Sequence, residues 1–217
     1  MSRRALLIFA NHARLDLARR ALPRAALPLL QNSAIARSAG ADYDVHLFGA
    51  LRQRGDGFAA RLEHAIETLS AQGYDEIVAV GRDCPALSAN DITQAFAELR
   101  DTRLVLGPDH RGGCYLIAFR AADRALLQGI RWQRNTDCAQ LQRRCEAAEV
   151  ALLSIKHDID SWADARLAAR ADERIARRAA FLFQAGRALA REVVSHFDAA
   201  THFVRLHGQI PPPCAVS

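Results

Sequence analysis

Two hydrophobic patterns alternate along the first three-quarters of this chain. Short apolar runs have the length and composition of buried strands: Ala5–Phe9, Asp44–Phe48, Ile77–Val80, Leu104–Leu106, Tyr115–Phe119 and Val150–Ile155. Between them lie helix-period stretches. Phe58, Leu62, Ile66 and Leu69 recur at helical spacing, with Gly73 just past the end as a C-terminal stop. Ser88 precedes Asp91 in capping-box spacing, and Ile92, Phe96 and Leu99 follow on one face. Residues from about Arg14 to Ile35 read as helical, interrupted by Pro23 and Pro28, and Asp137 to Glu149 reads as another helix. This alternation predicts an α/β fold, a three-layer sandwich with a mainly parallel sheet between helices. The turn Pro108–Gly113 is too short for a parallel crossover, so the strand after it is expected to run antiparallel, making the sheet mixed.

From Asp164 to about His202 the chain becomes rich in alanine and arginine, and its pattern predicts one long helix. Ile175, Ala179, Leu182, Phe183, Leu189 and Val193 form its apolar stripe. The expected organisation is an α/β domain over residues 1–165, a helical extension over 166–205 and a loose tail over 206–217 that contains Pro211-Pro212-Pro213. The stripe fits packing on the parent domain or on a second copy of the chain, which makes a homodimer through this helix one expectation.

Composition narrows the classes. Half of the residues are apolar, yet no apolar run is long enough to span a bilayer and the start lacks a signal-sequence pattern, so a cytoplasmic protein without a membrane partner is expected. Five cysteines, an odd number without a Cys-x-x-Cys pair, argue against a disulfide framework or a structural zinc site. The formal charge of +5 does not imply nucleic acid. Lys156 is the only lysine among 29 basic side chains, which reads as coding bias toward arginine and alanine. Acids such as Asp172 and Glu173 also interrupt the basic residues from Arg166 to Arg178.

Three segments fall at the carboxyl ends of predicted strands, where open α/β sheets place ligands. The first is Gly81-Arg82-Asp83-Cys84-Pro85, in which Pro85 stops the chain from continuing and leaves Asp83 at the strand tip. The second is Gly107 to Gly113, whose glycines permit close backbone approach and whose amides could face an anion. The third is His157-Asp158-Ile159-Asp160, where extended backbone points both aspartates to one side. Asp83 with one or both of these would make a hard oxygen site suited to Mg²⁺ or Mn²⁺ bound to phosphates. Plainer roles compete. Asp158 or Asp160 could cap the helix opening near Ser161, the paired glycines could serve only the turn, and Cys84 reads as a small buried side chain. His12 and His110 sit in loops near the ligand edge, while Trp132 and Trp162 either wall a pocket or pack.

Four segments, in order, resemble the bacterial family called rSAM/selenodomain-associated glycosyltransferases, a branch of the GT-A nucleotide-diphospho-sugar transferase fold. They are Gln53-x-Gly55-x-Gly57-Phe58-x-x-Arg61-Leu62, Gly81-x-Asp83-x-Pro85-x-Leu87, Gly107-Pro108 followed by Gly112-Gly113-Cys114-Tyr115-Leu116-Ile117, and Asp158-Ile159-Asp160-Ser161. The molybdenum-cofactor and phospholactate guanylyltransferases are more distantly similar. The resemblance implies a Mg²⁺- or Mn²⁺-dependent glycosyl- or nucleotidyl-transferase that takes a nucleotide or nucleotide-sugar donor and a small-molecule acceptor. It implies Asp83 and Asp160 as catalytic metal ligands, Asp158 as a further ligand, and Arg111, Gly112 and Gly113 as contacts to phosphate or acceptor. Two departures are visible. The family's glycine-containing Lys-Thr-Arg loop is replaced by Asn11-His12-Ala13-Arg14-Leu15-Asp16, leaving Arg14, Arg19 or Arg20 for phosphate contact. Arg111 stands where the family has an acid. These departures favour the alternative of a catalytically degenerate binding or oligomerisation module.

Overall fold

Alternation within each strand decides the layering. In β1 (Arg4–Phe9), Ala5 and Leu7 point to one face of the sheet and Leu6 to the other. The same split runs through β3 (Glu76–Val80), β4 (Leu104–Pro108) and β5 (Cys114–Arg120). One face packs on α1 (Gly57–Ala71) through Leu62, Ala65, Ile66 and Leu69. The other packs on α2 (Ala89–Glu98) through Ile92, Ala95 and Phe96. The computed structural model describes residues 2–10 and 42–171, all in a unit that runs Met1–Ala179. The helix expected over Arg14–Ile35, the long C-terminal helix, the dimer contact through it and the tail lie outside the described residues.

The sheet has six strands in the order β2-β1-β3-β5-β4-β6, with β2 at Asp44–Phe48 and β6 at Val150–Leu152. β1 runs parallel to β2 and β3, and β4 runs parallel to β6. β5 lies antiparallel to both of its neighbours, as the short turn before it required. Arg4 and Glu76 pair at 2.8 Å across β1 and β3.

Local signals place the helices. Ser88 and Asp91 form the expected reciprocal capping box on α2. Gly73, at φ +83°, follows α1; its N–H bonds Ser70 O while Tyr74 N–H bonds Leu69 O, a Schellman ending.

Two elements are shorter than the sequence predicts. The helix expected over Asp137–Glu149 is α3 (Asp137–Gln142), a turn, and a 3-10 turn at Ala147–Glu149. Glu146 takes extended backbone, and its N–H bonds the Glu149 carboxylate at 3.0 Å, which restarts the chain. The strand expected over Val150–Ile155 ends at Leu152. Opposite it, β4 ends at Pro108, which has no N–H for a ladder, and pairing resumes only as the single Asp109–Lys156 bridge. A last helix, α4 (Trp162–Ala171), is continuous across the expected domain boundary after residue 165.

Candidate functional site

The site is built where β3, the β4–β5 hairpin and the segment after β6 meet. Leaving β3, the chain turns at Gly81. A Cβ there would stand 2.5 Å from Asp83 Oδ1, so glycine is what allows the carboxylate to fold back over the strand end. Leu87 N–H closes the turn onto Cys84 O, and Cys84 is 1% exposed, with burial pushing its thiol far up. That agrees with a packing role for Cys84.

The hairpin is organised by Asp109. One of its carboxylate oxygens accepts from Arg111 N–H at 2.6 Å and Gly113 N–H at 3.0 Å, while its carbonyl accepts from Gly112 N–H at 3.3 Å. The amides of Gly112 and Gly113 therefore serve the turn. That corrects the expectation that they face an anion: Asp109 already occupies them. Gly112 has φ +99°, and a Cβ on it would meet Asn135 O at 2.5 Å, so glycine is required by both conformation and space.

After β6, Lys156 N–H and O bond Pro108 O and His110 N–H, strapping this segment to the hairpin. Ile159 N–H bonds Asp83 O at 2.8 Å, which brings Asp158 and Asp160 beside Asp83. Asp158 accepts from the Cys84 thiol, while its Oδ1 is buried with no hydrogen-bond partner. Burial, reinforced by the charges of Asp83, Asp109 and Asp160, pushes the Asp158 carboxyl up to about 8.

Arg111 turns away from the pocket. Its guanidinium bonds Asp160 Oδ2 at 3.0 Å and the Asp164 carboxylate. Asp164 is 5% exposed and also accepts from Ser161 Oγ at 2.7 Å and Asp160 N–H at 3.1 Å. Burial pushes Asp164 up, but Ser161 and Arg111 hold it below the usual carboxylate range. Ser161 Oγ in turn accepts from Asp164 N–H at 3.3 Å, so Ser161 and Asp164, and neither Asp158 nor Asp160, close the start of α4. The signal was present as Ser161-x-x-Asp164. His110 sits on this network, 3.5 Å from Asp164 and stacked on His157 at 4.5 Å.

The three segments enclose a cavity of about 310 Å³ that Asp83, Asp109, Asp158 and Asp160 line together. Opposite stand Phe58, Trp132 and Arg61. The Phe58 and Trp132 rings pack at 5.8 Å. Arg61 Nε is buried without a hydrogen-bond partner. No periodicity marks Arg61 as functional, because its role depends on α1 lying against this edge. Arg14, Arg19, Arg20, His12 and the Trp162 side chain lie outside the described residues.

A family model described as "Uncharacterized protein conserved in bacteria (DUF2064)" matches residues 17–134. The chain belongs to that family. Among solved structures, it is similar to a protein of Desulfovibrio desulfuricans G20 described as a candidate nucleotide-diphospho-sugar transferase. That match has a TM-score of 0.71 and 22% identity, covering 88% of this chain and 98% of the other. It is also similar to a cytidylyltransferase from Leptospira borgpetersenii serovar Hardjo-bovis, with a TM-score of 0.50 and 13% identity over 78% of this chain and 86% of that one. No curated protein matches the chain. The fold is therefore of the nucleotide-diphospho-sugar transferase, GT-A-like type. No helix among the described residues is long and apolar enough to cross a membrane.

Proposed function

We propose that this protein binds a nucleotide-activated donor in the cavity at the carboxyl edge of its sheet and transfers a glycosyl or nucleotidyl group to a small acceptor in the cytoplasm. The observation that carries this reading is the group Asp83, Asp158 and Asp160 at one pocket, with Asp158 Oδ1 buried and unpartnered, at the edge where α/β folds take ligands. The finer likeness to selenodomain-associated glycosyltransferases belongs with the same reading.

The donor set suits a hard divalent cation, Mg²⁺ or Mn²⁺, because it is made of carboxylate oxygens. Among the described residues, no three His, Cys, Asp or Glu side chains stand as a ready-made metal cage. Mg²⁺ held by one or two carboxylates and by substrate phosphates needs none. Asp83 and Asp158 would hold the ion, and Asp160 would join them when released from Arg111. Bound there, the ion would offset charge on a leaving diphosphate. Arg61 and Arg82, both on the cavity wall, give the donor phosphates cationic partners, and the Phe58–Trp132 wall gives the base or sugar an apolar surface.

Calorimetric titration of UDP-, GDP- and ADP-sugars and of plain nucleoside triphosphates, each with Mn²⁺, tests this. One nucleotide class should bind, and Asp83→Ala should weaken it by about tenfold or more. The reading fails if no nucleotide binds and Asp83→Ala leaves every measured activity intact.

One observation favours the second reading, a binding or oligomerisation module without catalysis. Arg111 supplies a permanent cation to Asp160, the carboxylate that a metal-dependent site would use. Under that reading nucleotide binds without turnover for any acceptor, and light scattering finds a stable oligomer.

A further inference from the structure

Among the described residues, three side chains on the cavity wall carry a buried polar atom without a hydrogen-bond partner: Arg61, Asp158 and Asp137. The first two belong to the donor site proposed above; Asp137 has no part in it. Asp137 is 8% exposed, and the unpartnered atom is its Oδ1. Its Oδ2 accepts from Gln133 N–H at 3.2 Å. One oxygen therefore ties the carboxylate to its own loop, and the other is left over. A buried acceptor without a donor is destabilising, and native chains keep few of them. Burial accordingly pushes this carboxyl above the usual range, against the backbone N–H groups of Gln133 and Arg134.

The loop that carries Asp137 is held in one shape. Gln133 and Asn135 both take left-handed backbone, at φ 62° and 56°, which residues other than glycine rarely adopt. Gln140 pins the loop from behind. Its Oε1 accepts from Arg131 N–H at 3.0 Å, and its Nε2 donates to Arg131 O at 3.3 Å and to Thr136 Oγ1 at 2.9 Å. Such backbone persists where its surroundings over-determine it, and it gathers at ligand sites. The loop also touches the β4–β5 turn: Cys138 N–H bonds Gly112 O at 3.2 Å, and a Cβ on Gly112 would meet Asn135 O at 2.5 Å. Lys156 straps the same turn to the Asp158 segment. The turn thus joins the loop of Asp137 to the carboxylates proposed for the ion, along one wall of the cavity.

We propose that Asp137 accepts a hydrogen bond from a hydroxyl of the sugar that the nucleotide donor carries, and so selects the donor by that sugar. The inference rests on the donor reading above and adds recognition of the sugar to it. A phosphate does not suit this position, because its negative charge would face the carboxylate and it brings no donor at neutral pH. A sugar hydroxyl brings the missing O–H without charge. Trp132, on the same segment, gives the sugar ring an apolar face, and the amides of Gln133 and Asn135, also on the wall, add partners for further hydroxyls. A site built on a buried acceptor also rejects a ligand that lacks the matching hydroxyl, since the acceptor is then left unpaired again.

The test is calorimetric titration of the full-length chain with Mn²⁺, using UDP, GDP and ADP and then UDP-glucose, UDP-galactose, GDP-mannose and ADP-glucose. At least one nucleotide-sugar should bind about tenfold or more tighter than its own diphosphate. Asp137→Asn preserves the shape and keeps an oxygen for Gln133 N–H. It should remove most of that advantage and leave the diphosphate within about twofold. If the variant does not fold, a crystal structure of the native chain with that nucleotide-sugar decides, and a sugar hydroxyl should lie about 2.7 Å from Asp137 Oδ1. The proposal is overturned if no sugar adds affinity over its diphosphate, if the crystal places the sugar away from Asp137, or if Asp137→Asn leaves the advantage intact. It is equally overturned if the variant weakens sugar and diphosphate alike, as a contact to the base or a purely structural role would. In each of these cases diphosphate binding leaves the donor reading standing, whereas failure of every nucleotide to bind removes both.

Discussion

Asp158→Asn separates the cost of the acidic cluster from its use. The substitution preserves shape and keeps an oxygen for the Cys84 thiol, but carries no charge. In the protein without divalent cations the Asp158 carboxyl is raised from 3.8 to about 8 by burial and by Asp83, Asp109 and Asp160. Below about pH 4 it is protonated whether the chain is folded or not, so the substitution should change little. Between about pH 4 and 8 the native chain keeps a proton that the unfolded chain has released, and this group's contribution to wild-type stability falls by about 1.4 kcal/mol per pH unit. The full span would give about 6 kcal/mol, and water entering the open cavity lowers this to about 2–4 kcal/mol by pH 8. Asp158→Asn should therefore unfold roughly 5–15 °C above wild type at pH 8 in EDTA, with the difference vanishing near pH 4. Scanning calorimetry across that range reads it directly. Adding Mn²⁺ should close or reverse the gap, because only wild type offers the charged ligand. A variant no more stable than wild type at pH 8, or an advantage independent of pH, would refute the electrostatic reasoning.

Arg111→Gln should leave Asp164 buried without its guanidinium and cost about 2–4 kcal/mol in chemical denaturation. It should also tighten Mn²⁺ binding by about tenfold in calorimetry, because Asp160 is released; unchanged affinity would show that the Arg111 contact does not restrain Asp160. Ser88→Ala removes one half of the α2 capping box and should cost about 1 kcal/mol in urea unfolding. A loss below a few tenths would mean that the buried Lys156–Asp91 pair at 3.1 Å holds the helix start by itself.

Much of this architecture is legible before folding because its signals are local. Leu104–Leu106 and Tyr115–Phe119 are apolar runs separated by a turn, and turn length alone sets the direction of β5. Asp83 is legible for the same reason: Pro85 acts on its own neighbourhood. The helix ending at Gln142 was not, since Glu146 leaves helical backbone to bond Glu149, and apolar spacing does not register such a break. The resemblance implies Arg111 as a contact to phosphate or acceptor, but its side chain answers to Asp160 and Asp164, which tertiary structure delivers. Asp164 could have been read from Ser161-x-x-Asp164, had the two aspartates ahead of it not competed for the same capping role. Arg61 stands in the Gln53–Leu62 motif, but its place on the cavity wall depends on which elements the sheet brings together.

The reversed strand also bears on the order in which the molecule is made. β4 and β5 are joined by a short turn, so theirs is the sheet pairing with the smallest loop to close. β6 can reach β4 only after the chain has passed through α3 and returned, a far longer closure. The segment carrying Lys156, Asp158 and Asp160 follows β6, so the crowding of like charges arises late, against a sheet already formed. A chain halted before that step would own most of its core and the carboxylates of Asp83 and Asp109, without Asp158 and Asp160 to crowd them. The nascent protein thus meets the repulsion built into its pocket only when the rest of the fold can withstand it.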